Sequence, residues 1–205
     1  MRDPDSTRYR LSWALYELGT NVVRGVSLTR IARPYLDRLA AQTGESALLS
    51  ILDEDAVLYL DRSEAPTGLR MWADAGRRGP LHATASGKAL LAFAPAEILG
   101  PILSAPLPEF TRTTVTDPAA LRRQLAQVRA RGYATCWQER EAGLCSLAVP
   151  LRDYTGTVAG ALALAGPASR LNARTYQPRL PPLQAAAHHI ELHLGGARQR
   201  PAPIG

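Results

Sequence analysis

The apolar positions of this chain change period along its length, and that change divides it into elements. Residues 9–18 (YRLSWALYEL) place Leu11, Leu15 and Leu18 on one helical face, with Gly19 as the expected stop. A second, longer helix is expected from a Ser27 cap, because Leu28, Ile31, Ala32, Tyr35, Leu36 and Leu39 follow the i, i+3, i+4 rule and Gly44 closes it. Pro34 within that pattern removes one hydrogen bond and predicts a kink.

From Ser46 the period becomes two. Residues 46–52 and 56–61 read as a hairpin about Asp53-Glu54-Asp55, and residues 68–74 (GLRMWAD) alternate as a third strand. A loop beginning at Gly79 then runs into a short helix within 79–93, and a further helix is expected from Pro95 to about Leu103. After a loop over 104–116, Asp117-Pro118 is a helix start that ends at Gly132. Residues 133–138, 144–151 and 157–165 read as strands, the last two joined by a turn at Asp153–Gly156. A final helix is expected from Pro182 to Leu194, followed by a disordered Gly/Pro-rich tail. Strands grouped by hairpins, with helices before, between and after them, predict an α+β domain built on an antiparallel sheet.

Composition narrows the class. The 205 residues are 46% hydrophobic and 20% charged, which suits one substantial soluble domain. No run has the length of a membrane span, and the first ten residues lack a signal core. The two cysteines, Cys136 and Cys145, make a disulfide framework improbable and fit a reducing cytoplasm. They could be a thiol pair, a redox switch or two core fillers. The net charge of +6 permits nucleic-acid contact, yet the arginines are dispersed without interleaved aromatic residues, so they read as solvated surface.

The segment Gly79–Phe93 (GPLHATASGKALLAF) holds the candidate chemistry. Thr84 or Ser86 can cap its helix, and the small residues Ala83, Ala85, Gly87 and Ala89 leave the main chain approachable. A helix start of that kind suits a small anionic or polar ligand; close packing of the helix on a sheet explains the same small residues. A phosphate-cradling loop is excluded, since His82 stands where the first glycine is required and Ala89 follows Lys88. The nucleophile-elbow pattern is missing as well. His189 and His193 have a metal-compatible spacing without the glutamate that the zinc motif places between them, so surface histidines are expected and no metal. Glu139 and Glu141 flank Arg140 and read as surface charge rather than an acid–base pair.

Seven of these segments, in order, resemble the effector-binding domain of the IclR-type bacterial transcription regulators: YRLSWALYELG, the Ile31-Ala32-Arg33-Pro34 helix, LDEDAVLYLDR, LRMWADAGRRGPLHATASGKALLAF, TVTDPAALRRQLAQVRARGYA, EREAGLCSLAVPLRD and GALALAGPASRL. The run Pro80–Ala89 is the most specific, followed by Gly166–Leu171. The resemblance implies a curved antiparallel sheet of about six strands flanked by helices, related to GAF and PAS sensor modules. It implies a remnant of a linker helix over 1–20, an effector-binding domain over 21–195 and a disordered tail over 196–205. It also implies a homo-dimer or tetramer that senses a small metabolite and reaches operator DNA through a winged helix-turn-helix, with no cofactor, no catalytic residue and no membrane.

With eight residues ahead of Tyr9, that DNA-binding module is expected to be absent from this chain. The ligand-binding positions implied are Ala85 and Ser86, whose main-chain N–H groups take the ligand, together with Gly68, Gly79, Cys136, Leu144, Ser146, Ala163 and Ala165. Glyoxylate- and pyruvate-sensing relatives carry an acidic residue and hydroxyls at positions occupied here by Cys136, Ala163 and Ala165. The resemblance therefore implies an organic acid with a more apolar body. The alternatives are an enzyme using His82 or Cys136 in the same pocket and a plain dimerisation module.

Overall fold

The structure, a computed structural model, describes residues 13–64 and 75–195, with residues 13–27 described by backbone alone. Six strands form one sheet: β1 (Ser46–Asp53), β2 (Ala56–Ser63), β3 (Arg78–Pro80), β4 (Ala134–Trp137), β5 (Leu144–Arg152) and β6 (Val158–Pro167). Their order is β3-β2-β1-β6-β5-β4, and every pairing is antiparallel. Two three-stranded units thus meet at the central β1–β6 pair. Glu54, at φ 53°, turns the first hairpin. Asp153 accepts from the N–H groups of Thr155 and Thr157 at the second, and Gly156 takes the left-handed conformation there at φ 84°.

The strands sort their side chains by size. Along β6, Leu162 and Leu164 point to one face while Ala161, Ala163 and Ala165 point to the other. Leu147, Val149 and Leu151 of β5 join the leucine face, against α1 (Trp13–Thr43) and α5 (Leu180–His193). Helix α1 presents Leu28, Ala32, Leu36 and Leu39 to that face, all buried. On the alanine face lie α2 (Ala85–Leu91) and α4 (Pro118–Arg131), with Leu90, Leu91, Leu121, Leu125 and Val128 facing inward. A peripheral α3 (Ala96–Ser104) precedes α4 and sends Leu103 into the same cluster. Asp117 caps α4 by accepting from the Ala119 and Ala120 N–H groups, and Gly132 ends it at φ 80°.

Two expectations are corrected. The two N-terminal helices are one helix, with Gly19 and Ser27 inside it. An internal glycine costs about 1 kcal/mol relative to alanine, too little to end a helix whose neighbours carry on the hydrogen bonding. Pro34 also lies within it. Secondly, Gly79 and Pro80 are not loop: they form β3 with Arg78, paired to Val57 and Ala56 of β2. The strand expected over 68–74, the tail, and residues 9–12 of the first helix lie outside the described residues.

Candidate functional site

Helix α2 starts where the alanine face leaves room. Thr84 is its cap: the hydroxyl accepts from the Gly87 N–H at 3.0 Å and donates to the Pro80 carbonyl at 2.9 Å. Gly87 makes the approach possible, because a Cβ there would lie 2.2 Å from the Leu81 carbonyl oxygen. Lys88 N–H bonds the Thr84 carbonyl. The first two N–H groups of the helix, those of Ala85 and Ser86, have no acceptor among the described residues.

They border a cavity of about 430 Å³, within the range of about 300–1,000 Å³ of small-molecule sites. All six strands supply its lining: Gly79 from β3, Tyr59 from β2, Leu48 from β1, Ala163 and Ala165 from β6, Leu144 and Ser146 from β5, and Cys136 from β4. Eight of the nine sequence-expected positions, Ala85, Ser86, Gly79, Cys136, Leu144, Ser146, Ala163 and Ala165, therefore meet around one hollow, and the ninth, Gly68, lies outside the described residues. Arg77, Arg78, Arg140 and Glu141 add charge to the lining. Arg78 is engaged with Asp53 at 2.6 Å.

The buried polar groups of the cavity are held neutral. Burial pushes the Cys136 thiol up to about 11, helped by the nearby Glu139 carboxylate, and its Sγ donates to the Ala83 carbonyl at 3.2 Å. Burial likewise raises the Tyr59 phenol to about 12. A protonated, hydrogen-bonded thiol is a poor nucleophile. His82 is not on the cavity lining: its Nε2 bonds the Pro108 carbonyl and its ring stacks on Phe110. Of the two residues the enzymatic alternative named, His82 or Cys136, the first lies off the lining and the second is on it as a protonated thiol.

Glu139 overturns the surface-charge reading. It is 6% exposed, and both carboxylate oxygens receive Nζ of Lys88, itself 1% exposed. Lys88, named in the sequence only as part of a failed phosphate-loop pattern, is the only lysine in a chain with 24 basic residues. That singularity was the available signal. A second buried carboxylate, Glu45, is bridged by Arg170 and Arg179 at 3.1 and 2.9 Å, and Gly166 leaves the space that it occupies. Those contacts account for Gly166 and Arg170 in the Gly166–Leu171 run.

The remaining candidates separate. Cys136 pairs in register with Ser146, not Cys145, so the two thiols lie on opposite sheet faces. His188, His189 and His193 are exposed, with His189 stacked on Tyr35. No cluster of three metal-ligating side chains exists among the described residues. Nor is any helix among them long and apolar enough to cross a membrane.

Comparison with known proteins agrees with this geometry. The family model described as "Bacterial transcriptional regulator IclR C-terminal" matches residues 20–192. The HTH-type transcriptional regulator BhcR of Paracoccus denitrificans is 39% identical over 171 residues, which are 83% of this chain and 61% of that regulator. The chain thus spans about three fifths of that relative's length. An IclR homolog from Microbacterium hydrocarbonoxydans, complexed with 4-hydroxybenzoate, superposes with a TM-score of 0.78 at 34% identity, covering 94% of this chain and 78% of that one. A double mutant of the PobR inducer-binding domain from Acinetobacter, complexed with 3-hydroxybenzoic acid, gives 0.72 at 28% identity, covering 79% and 96%. The chain belongs to the IclR family of bacterial transcriptional regulators, in which residues 20–192 match the C-terminal, effector-binding domain.

Proposed function

We propose that the cavity binds a small organic acid with an apolar body. Its carboxylate accepts from the Ala85 and Ser86 N–H groups, and its body lies on Leu144, Ala163 and Ala165, with Gly68, Gly79, Cys136 and Ser146 as further contacts. The supporting observation is the pair of main-chain donors without an acceptor among the described residues, at the edge of a hollow whose wall includes Leu48, Leu144, Ala163 and Ala165. Short, highly oxygenated acids are disfavoured, because buried polar groups left unpaired cost about 1–3 kcal/mol each. The two neighbours complexed with hydroxybenzoates support an aromatic acid. In the intact regulator, a cytoplasmic homo-dimer or tetramer, occupancy shifts the balance between two quaternary states that present a winged helix-turn-helix to operator DNA differently. The protein detects its ligand without transforming it.

Calorimetric titration of the chain with benzoate, 4-hydroxybenzoate, glyoxylate and pyruvate tests the reading. The aromatic acids are expected to bind at least tenfold more tightly, and to raise Tm as binding to the folded state requires. Ala85→Pro removes one donor while suiting the helix, since proline is favoured at the first helical position and Thr84 is already extended at φ −133°, ψ 149°. Affinity should fall at least tenfold with the fold retained. Unchanged affinity in a folded Ala85→Pro protein rules out the main-chain anion site.

A further inference from the structure

The cavity reading leaves one charged group unexplained. Of the three arginines on the lining among the described residues, Arg78 is neutralised by Asp53 and Arg77 already has a partner. Arg140 has no carboxylate within ion-pair distance among the described residues, and no bond joins it to Glu141, the one acid on the lining. Its guanidinium lies 4.3 Å from the ring centroid of Phe110, whose ring is also stacked on His82. That cation–π contact leaves the hydrogen-bond donors of the guanidinium without a partner among the described residues.

The backbone beneath Arg140 is held firmly. Gln138 is in the left-handed region at φ 60°, and its carbonyl accepts from the Thr111 and Thr113 hydroxyls at 2.7 and 2.9 Å. The Thr114 hydroxyl donates to the Glu139 carbonyl at 2.6 Å, while the Glu139 side chain is pinned by Lys88 of α2. Arg140 and Tyr59 of β2 line the same hollow although four strand steps separate β2 from β4. The segment after β4 thus contributes to the lining alongside β2. A fork of unpaired donors on the lining of a cavity, resting on an aromatic ring, can serve as a recognition group.

We infer that Arg140 is a specificity-determining residue that selects an acid with two anionic ends, one on the Ala85 and Ser86 amides and the second on its guanidinium. This inference rests on the cavity reading and narrows the ligand to a dicarboxylate with an apolar spacer. The probes are benzoate, benzene-1,4-dicarboxylate and 4-(aminomethyl)benzoate, which keep one carboxylate and the ring while the other end is neutral, anionic or cationic.

Wild-type chain should bind the dicarboxylate at least tenfold more tightly than benzoate and the cationic acid more weakly than benzoate. Arg140→Gln should abolish the first preference with little effect on benzoate. Arg140→Glu should reverse the order of the two charged probes, which a structural role for Arg140 would not produce. Equal affinity for benzoate and the dicarboxylate, or an equal loss for all three probes in Arg140→Gln, overturns the inference and leaves the cavity reading standing. Failure of every probe to bind overturns both.

Discussion

Lys88 and Glu139 illustrate how a single exchange acts when charge is buried. The pair joins α2 to the segment after β4, with both side chains almost fully enclosed. Taking one member away strands the other in a medium of low polarity, which costs about 3–5 kcal/mol, whereas apolar replacement of both is often close to neutral. Lys88→Met should therefore lower urea-unfolding stability by about that amount, and Lys88→Met with Glu139→Leu should restore most of it. Additive losses in the double variant count against the pairing.

Cys136 and Tyr59 make a pH-dependent contribution of definite sign. Both are neutral when protonated, and burial raises both above their ordinary values of 9.0 and 10.0, to about 11 and about 12. The folded protein thus keeps protons that the unfolded chain releases. The contribution is complete below about pH 9 and is lost as pH rises through the folded values, by an amount of order 1–3 kcal/mol per group. Urea midpoints at pH 8, 9, 10 and 11 should fall more steeply for wild type than for Cys136→Ser. Parallel curves exclude the thiol as a source.

Among the elements, β6 has the clearest division of work. Its leucines anchor α1 and α5, and its alanines leave the hollow. Ala163→Leu should fill space, cutting acid affinity at least tenfold while Tm holds or rises. Leu162→Ala, one residue away on the opposite face, should instead cost about 2–5 kcal/mol of stability and leave affinity nearly unchanged. Loss of binding in the second variant without loss in the first contradicts this division. Helix limits set by a capping side chain were readable in advance, as at Asp117 and Gly132 of α4. The limit expected at Gly19 was not real, because a modest intrinsic penalty yields to continuous backbone bonding. Strand β3 is three residues long and takes its order from pairing with β2, so local periodicity had nothing to announce it.

Across the whole molecule, the alternation that predicted the strands also predicted an antiparallel sheet, and the family resemblance placed eight positions on one cavity. What it could not supply was distance between segments remote in sequence. The Lys88–Glu139 pair spans 51 residues and the Glu45–Arg170 pair 125, and no local pattern encodes either. One pair tethers α2 to the segment bearing Arg140, and the other ties the end of α1 to the segment following β6. The strands that floor the hollow are the same ones on which α1 rests from behind. The sheet is thus a partition shared by the hollow on one side and α1 on the other.

The partition has an evolutionary corollary. On β6 the hollow's contour is set by the methyl groups of Ala163 and Ala165, side chains that bear no share of the scaffold on the reverse side. Swapping alanine for serine, valine or aspartate along a single ribbon recuts the interior one atom or two at a time. Point changes of this kind would reshape what the hollow admits while leaving the leucine face and the helices packed on it unchanged.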